Sequence, residues 1–134
     1  ESKKEITKNL LANSFKKLIL DIPFKNITIK MITDKSKVIR PTFYHHFKDK
    51  YEVLEYIVDE DIMKNIYEMV DSDMEYESLK IIFIRLEKNR EFIKKAFKVE
   101  GQNSFKEILG YKIYNIFIRI IDKHELNEYI ILMF

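Results

Sequence analysis

The sequence predicts an all-α protein in which a three-helix N-terminal unit is followed by a helical body. Three observations support this. The 134 residues include two Gly and two Pro, too little turn punctuation for a β fold. Apolar residues recur at i, i+3 and i+4 along most of the chain, which is the spacing of a helix face. With 46% hydrophobic and 34% charged residues, the chain can bury one compact core or two small packed ones.

The first helix is expected over about residues 3–20, where Ile6, Leu10, Leu11, Phe15, Leu18 and Ile19 share a face. Pro23 ends it, because the residue before a proline avoids helical angles. Thr28 has the hydroxyl of an N-cap and opens a short second helix ending near Ser36. After a tight turn comes a third helix over about 40–46, with Pro41 in the first turn, where its missing N–H costs nothing. Asp49 with Glu52 three residues on is a capping-box pair. It starts a long fourth helix over about 50–70, with Val53, Leu54, Ile57, Val58, Ile62 and Ile66 as its apolar side. Asp71-Ser72-Asp73 interrupts the pattern, and further helices are expected at about 75–88, 90–98 and 105–122. Gly101 and a second capping pair, Ser104 and Glu107, separate the last two. An eighth is expected to begin at 126. Its apolar run Ile130–Phe134 has nothing in the sequence to cover it, so the chain is expected to be part of something longer.

Residues 38–50 carry the most chemistry. Phe43 and Phe47 lie four apart, the spacing of two core contacts on one helix face. Around them stand Arg40, Pro41, Thr42, Tyr44, His45, His46, Lys48 and Lys50. That mixture of base-edge and phosphate partners suits a helix that reads a major groove. The charge distribution agrees. Residues 1–50 hold 12 Lys/Arg against 5 Asp/Glu, and residues 51–134 hold 12 against 17, within a net charge of +2. A basic front and an acidic rear fit a nucleic-acid-binding head on a body that stays off the nucleic acid.

The pattern Ile27-Thr28-x-x-x-Ile32, a turn, then Thr42-Phe43-Tyr44-His45-His46-Phe47-Lys48-Asp49-Lys50-x-x-x-Leu54 resembles the helix-turn-helix of TetR-type (TetR/AcrR) transcriptional regulators. Asn89-Arg90-x-Phe92 with Glu100-Gly101-Gln102-Asn103-Ser104-Phe105 more weakly resembles a subgroup that includes dihydroxyacetone-kinase operon regulators. The resemblance implies a DNA-binding head at 1–48 and a ligand-binding and dimerising body at 49–134, incomplete at its C-terminal end. It implies a homodimer on a palindromic operator, acting as an effector-responsive repressor in the cytoplasm, with double-stranded DNA and an unknown small-molecule effector as partners and no cofactor. By the same resemblance Thr28 and Lys30 would touch phosphate, and Arg40 and Thr42 would face base edges. Pro41 and Tyr44 would meet thymine methyls, His45 would face the groove, and His46, Lys48 and Lys50 would hold phosphates. Such regulators usually have Gly where this chain has Lys37 and a small polar cap where it has Ile39. Lys37 at positive φ would cost on the order of 1 kcal/mol and would add a phosphate contact.

The body's aromatics are core candidates first. Phe83, Phe92, Phe97, Tyr111, Tyr114 and Phe117 are also candidates for lining an effector cavity in such a fold. Arg85, Arg90 and Arg119 are expected on the surface. Neighbouring His45 and His46 point about 100° apart on a helix, so they do not make a metal pair. No phosphate-binding Gly loop, His-Glu-x-x-His motif, nucleophile elbow or Cys occurs, and no enzyme is expected. No apolar run reaches the roughly 20 residues that cross a bilayer, and the charged start is not a signal peptide. The alternative expectation is a regulator-like adaptor or co-activator that binds little DNA, motivated by Lys37 and Ile39 at the turn.

Overall fold

The computed structural model describes residues 2–101, 103–124 and 132–133. Its helices are α1 (Lys3–Asp21), α2 (Ile29–Ser36), α3 (Arg40–His46), α4 (Lys50–Ile57), α5 (Ile66–Asp71), α6 (Glu75–Lys88), α7 (Arg90–Ala96) and α8 (Phe105–Lys123). A 3-10 turn at Phe24–Asn26 and a π-helical stretch at Val58–Met63 complete them, and no strand occurs among the described residues. Of the expected helix from 126, only Leu132 and Met133 are described; both are helical and exposed.

The caps are those the sequence announces. Ile22, before Pro23, is extended and ends α1. The Thr28 hydroxyl accepts the Met31 N–H at 3.1 Å, and the Asp49 carboxylate accepts the Glu52 N–H at 3.0 Å. Glu52 in turn accepts the Lys48 N–H at 2.8 Å, one residue before the cap. Ser104 and Glu107 repeat the device at α8, accepting the Glu107 and Asn103 N–H groups at 3.2 Å each. Gly101, at φ 90°, makes the turn that leads into it.

Helix α1 is the central element and packs against α2, α4 and α7. Leu11 and Phe15 have no exposed surface and join residues of head and body in one continuous core. Polar ties fix the same contacts. The Tyr56 hydroxyl donates to Asn9 Oδ1 at 2.6 Å, joining α4 to α1. Ser36 donates to the Ile32 carbonyl at 2.7 Å and meets the buried Ser14 hydroxyl at 2.8 Å, joining α2 to α1. Lys16 pairs with Asp61 at 2.8 Å.

The expected fourth helix over 50–70 needs correction, because it is two helices. After α4 the backbone widens into π geometry, Lys64 is extended (ψ 127°) and Asn65 is left-handed (φ 66°) before α5 begins. Asn is among the few residues that adopt this conformation readily. The break leaves helix-end carbonyls without partners, and a cation from α6 satisfies them. Arg85 Nη1 donates to the Ile62 carbonyl at 2.8 Å and to the Lys64 carbonyl at 2.7 Å. Arg119 on α8 grips Asp71 with two bonds, at 2.8 and 2.5 Å, and that carboxyl is held below its ordinary pKa chiefly by these bonds. Of the three arginines expected on the surface, Arg85 is half-buried in the body, whereas Arg119 and Arg90 are exposed and pair there with Asp71 and Glu87.

Charge-assisted hydrogen bonds contribute roughly 1.5–3 kcal/mol. Arg85→Ala is therefore expected to lower the unfolding free energy by about 2 kcal/mol in urea titration. Arg85→Lys should restore only part of this, since one ammonium cannot copy the planar fork. A loss below about 0.5 kcal/mol would remove Arg85 as the clamp of the break.

Candidate nucleic-acid interface

Helix α3 has seven residues, too few to be stable alone. It is oriented by what it buries. Phe43 is fully buried and Phe47 is 3% exposed. Their rings lie 5.7 Å apart, and Phe47 meets Tyr56 of α4 edge-on at 5.5 Å. Burying the two phenylalanines turns the opposite face outward. Arg40, Pro41, Tyr44 and His45 are exposed there, Tyr44 to 51%, and Thr42 is half-buried. The Tyr44 ring leans edge-on against Phe43 at 5.4 Å, so one side packs while its hydroxyl end stays in solvent.

The turn before α3 has the geometry expected at Lys37, with φ 60° and ψ 39°. Its N–H donates to the Asp34 carbonyl, and the Val38 N–H donates to Thr33. These bonds close α2 as a left-handed C-terminal cap does, in a position that usually holds Gly. Lys37 itself is exposed. Ile39 caps α3 without a side-chain bond and is 68% exposed. It is an exposed apolar group at the start of α3, and it is not among the contacts expected from the sequence. The signal was present, an isoleucine where a small polar cap is usual.

The other expected contacts divide into two sets. Thr28, Lys30 and Lys48 are exposed beside this face. The Thr28 hydroxyl uses its oxygen to cap α2 and keeps its proton for another partner. Lys30 pairs with Asp34 at 2.7 Å at an exposed position, an interaction worth little in water. Two residues are drawn inward. His46 has a buried Nδ1 without a hydrogen-bond partner among the described residues. Burial first, then the charges of His45, Lys8 and Lys4, hold its pKa below the ordinary value. Lys50 donates to the Phe24 carbonyl at 2.7 Å, with its ammonium 4.3 Å from the Phe24 ring centroid. The structure thus gives Lys50 an acceptor within the chain, where the sequence suggested phosphate.

The six aromatics expected near an effector do not converge. Phe92 is buried against Phe105 at 5.6 Å. Phe97 and Tyr111 line an open groove beside the start of α8. Phe83 faces outward from α6, 71% exposed, and Tyr114 and Phe117 are exposed on α8. Among the described residues no group of three or more His, Cys, Asp or Glu could hold a metal ion, and no helix is long and apolar enough to cross a membrane.

Residues 16–57 match the family model of bacterial regulatory proteins, tetR family. The HTH-type dhaKLM operon transcriptional activator DhaS of Lactococcus lactis subsp. lactis is 25% identical over 125 residues, which cover 92% of this chain and 66% of that protein. The chain thus spans just under two thirds of the relative's length. No solved structure matches it.

Because a left-handed lysine costs on the order of 1 kcal/mol relative to glycine, Lys37→Gly is expected to stabilise the protein by about that amount. The melting temperature should rise by a few degrees with the circular dichroism spectrum unchanged. A fall in melting temperature would mean that Lys37 makes a compensating contact in solution.

Proposed function

This chain belongs to the tetR family of bacterial regulatory proteins, and we propose that it is a DNA-binding transcriptional regulator whose α3 enters the major groove. The observation that carries this is the division of α3. Phe43 and Phe47 are buried, and Arg40, Pro41, Tyr44 and His45 are exposed on the other side. Arg40 is suited to a guanine edge and Thr42 to either base of a pair, while Pro41, Tyr44 and Ile39 supply apolar surface for thymine methyls. Thr28, Lys30, Lys37 and Lys48 would set the register through phosphate. A homodimer would place two such heads about 34 Å apart on a palindromic operator.

An effector bound in the body would act by favouring one separation of the heads over another. The relative is named an activator; a repressor, the role expected from the sequence, would start from the same occupied operator. The adaptor alternative rested on Lys37 and Ile39. A closed α2–α3 turn and an exposed α3 face both speak for DNA contact instead.

A mobility-shift titration with selected operator DNA tests the proposal. Affinity should fall steeply between 50 and 200 mM salt, by about a thousandfold if six or more phosphates are neutralised. Arg40→Ala should weaken binding by roughly tenfold to a hundredfold and relax preference at one base pair. Lys48→Ala should weaken all sequences alike and lower the salt slope by about one. Affinity indifferent to salt and to Arg40 would rule the proposal out.

A further inference from the structure

Where the head meets the body, the end of α1, the Phe24 turn and the start of α4 enclose a cleft of about 560 Å³ with the residues that end α7. This is within the range of roughly 300–1,000 Å³ typical of small-ligand sites. Its walls include the Phe24 and Tyr51 rings, which meet edge-on at 5.0 Å. Four lysines line it, Lys25, Lys50, Lys95 and Lys98, against two carboxylates, Asp21 and Glu100. Among the described residues none of these six groups forms an ion pair.

Lys50 is the informative member. Its half-buried ammonium has three N–H donors and, among the described residues, one hydrogen-bond acceptor, the Phe24 carbonyl. Burial alone pulls its pKa below the ordinary lysine value, as expected of a cation without a counter-charge. Its stem lies beside an aromatic floor, and Lys95 and Lys98 approach from the body side.

We propose that this junction cleft binds a small organic anion, a carboxylate or phosphate ester carrying an apolar or aromatic group, with the anionic end on Lys50, Lys95 and Lys98 and the apolar end against Phe24 and Tyr51. An occupant held this way touches α4 and the Phe24 turn on one side and the end of α7 on the other. It therefore bridges head and body, and its far wall, Val99 and Glu100, is shared with the groove beside α8 that Phe97 and Tyr111 line.

The test uses the whole chain without DNA, so its outcome is separate from that of the operator titration. Phenyl phosphate, benzoate and inorganic phosphate are titrated at constant ionic strength, with binding followed by calorimetry and by melting temperature. Phenyl phosphate is expected to give a saturable rise in melting temperature and to bind about tenfold or more tighter than inorganic phosphate, because its ring buries apolar surface. Lys50→Met should lower that affinity at least tenfold. Should Lys50→Met fold poorly, Lys95→Gln with Lys98→Gln removes two exposed charges from the same rim and should lower it similarly, while Lys80→Gln on α6 should leave it unchanged. No saturable binding of phenyl phosphate or benzoate, no preference for the ring, or full affinity in the lysine variants would each overturn the proposal.

Discussion

The orientation of α3 depends on one packing constraint, the burial of Phe43 and Phe47 against α4 and the rest of the core. A seven-residue helix has little stability of its own, and its cap residue, Ile39, makes no side-chain bond. What holds it is the aromatic contact between Phe47 and Tyr56 and the complete burial of Phe43. Truncating a buried Phe typically costs 3–5 kcal/mol, a large share of the stability of a domain this size. The outward face needs no separate device to be presented, since it is what remains once the phenylalanines are placed. Chemistry at exposed Arg40 can therefore vary with little effect on the fold, and chemistry at Phe43 cannot.

The head is not a bead on a string. Helix α1 contacts α2 within the head and α4 and α7 in the body, and the buried residues of both regions form one cluster. Movement of the head relative to the body therefore means sliding or tilting packed helices and not bending a free linker. The interruption after α4 bears on this. A straight helix from 50 to 70 would carry displacements along its axis, whereas the π stretch and the left-handed Asn65 divide it at a defined point. Arg85 makes that point a fixed geometry by bonding both the Ile62 and Lys64 carbonyls.

Most helix boundaries were legible because they depend on local chemistry. Thr28, Asp49 and Ser104 are side chains that satisfy amides three residues on, and Pro23 acts on the residue before it. The buried pair in α3 was legible from its spacing. The break near Asn65 was not, because Ile62 and Ile66 are four apart and keep the apolar pattern intact across it. A tertiary partner twenty residues away, Arg85, is what makes the interruption tolerable, and periodicity does not encode such a partner. The resemblance places Lys50 on phosphate and gives no hint of its internal acceptor for the same reason: the Phe24 carbonyl lies 26 positions back along the chain. The body's aromatics have the spacing of core residues, yet Phe83, Tyr114 and Phe117 face outward. Spacing groups residues on one face but does not say what that face meets.

The uneven charge of the chain is sharpened by how its ions pair. In the body, Lys112 lies 2.9 Å from Asp59, Lys123 bonds Asp73 and Glu75 at 2.6 and 2.7 Å, and Arg119 grips Asp71. In the head, Lys16 and Lys30 have carboxylate partners, whereas Lys37, Arg40 and Lys48 have none among the described residues. Such pairs add little stability at the surface, but each cancels its own field at distance. The face around α3 thus keeps unpaired cations, while the body as a whole carries a surplus of carboxylates. Within a Debye length, about 8–10 Å at physiological salt, the unpaired charges of Lys37, Arg40 and Lys48 act together, whereas the paired ions of the body largely cancel one another.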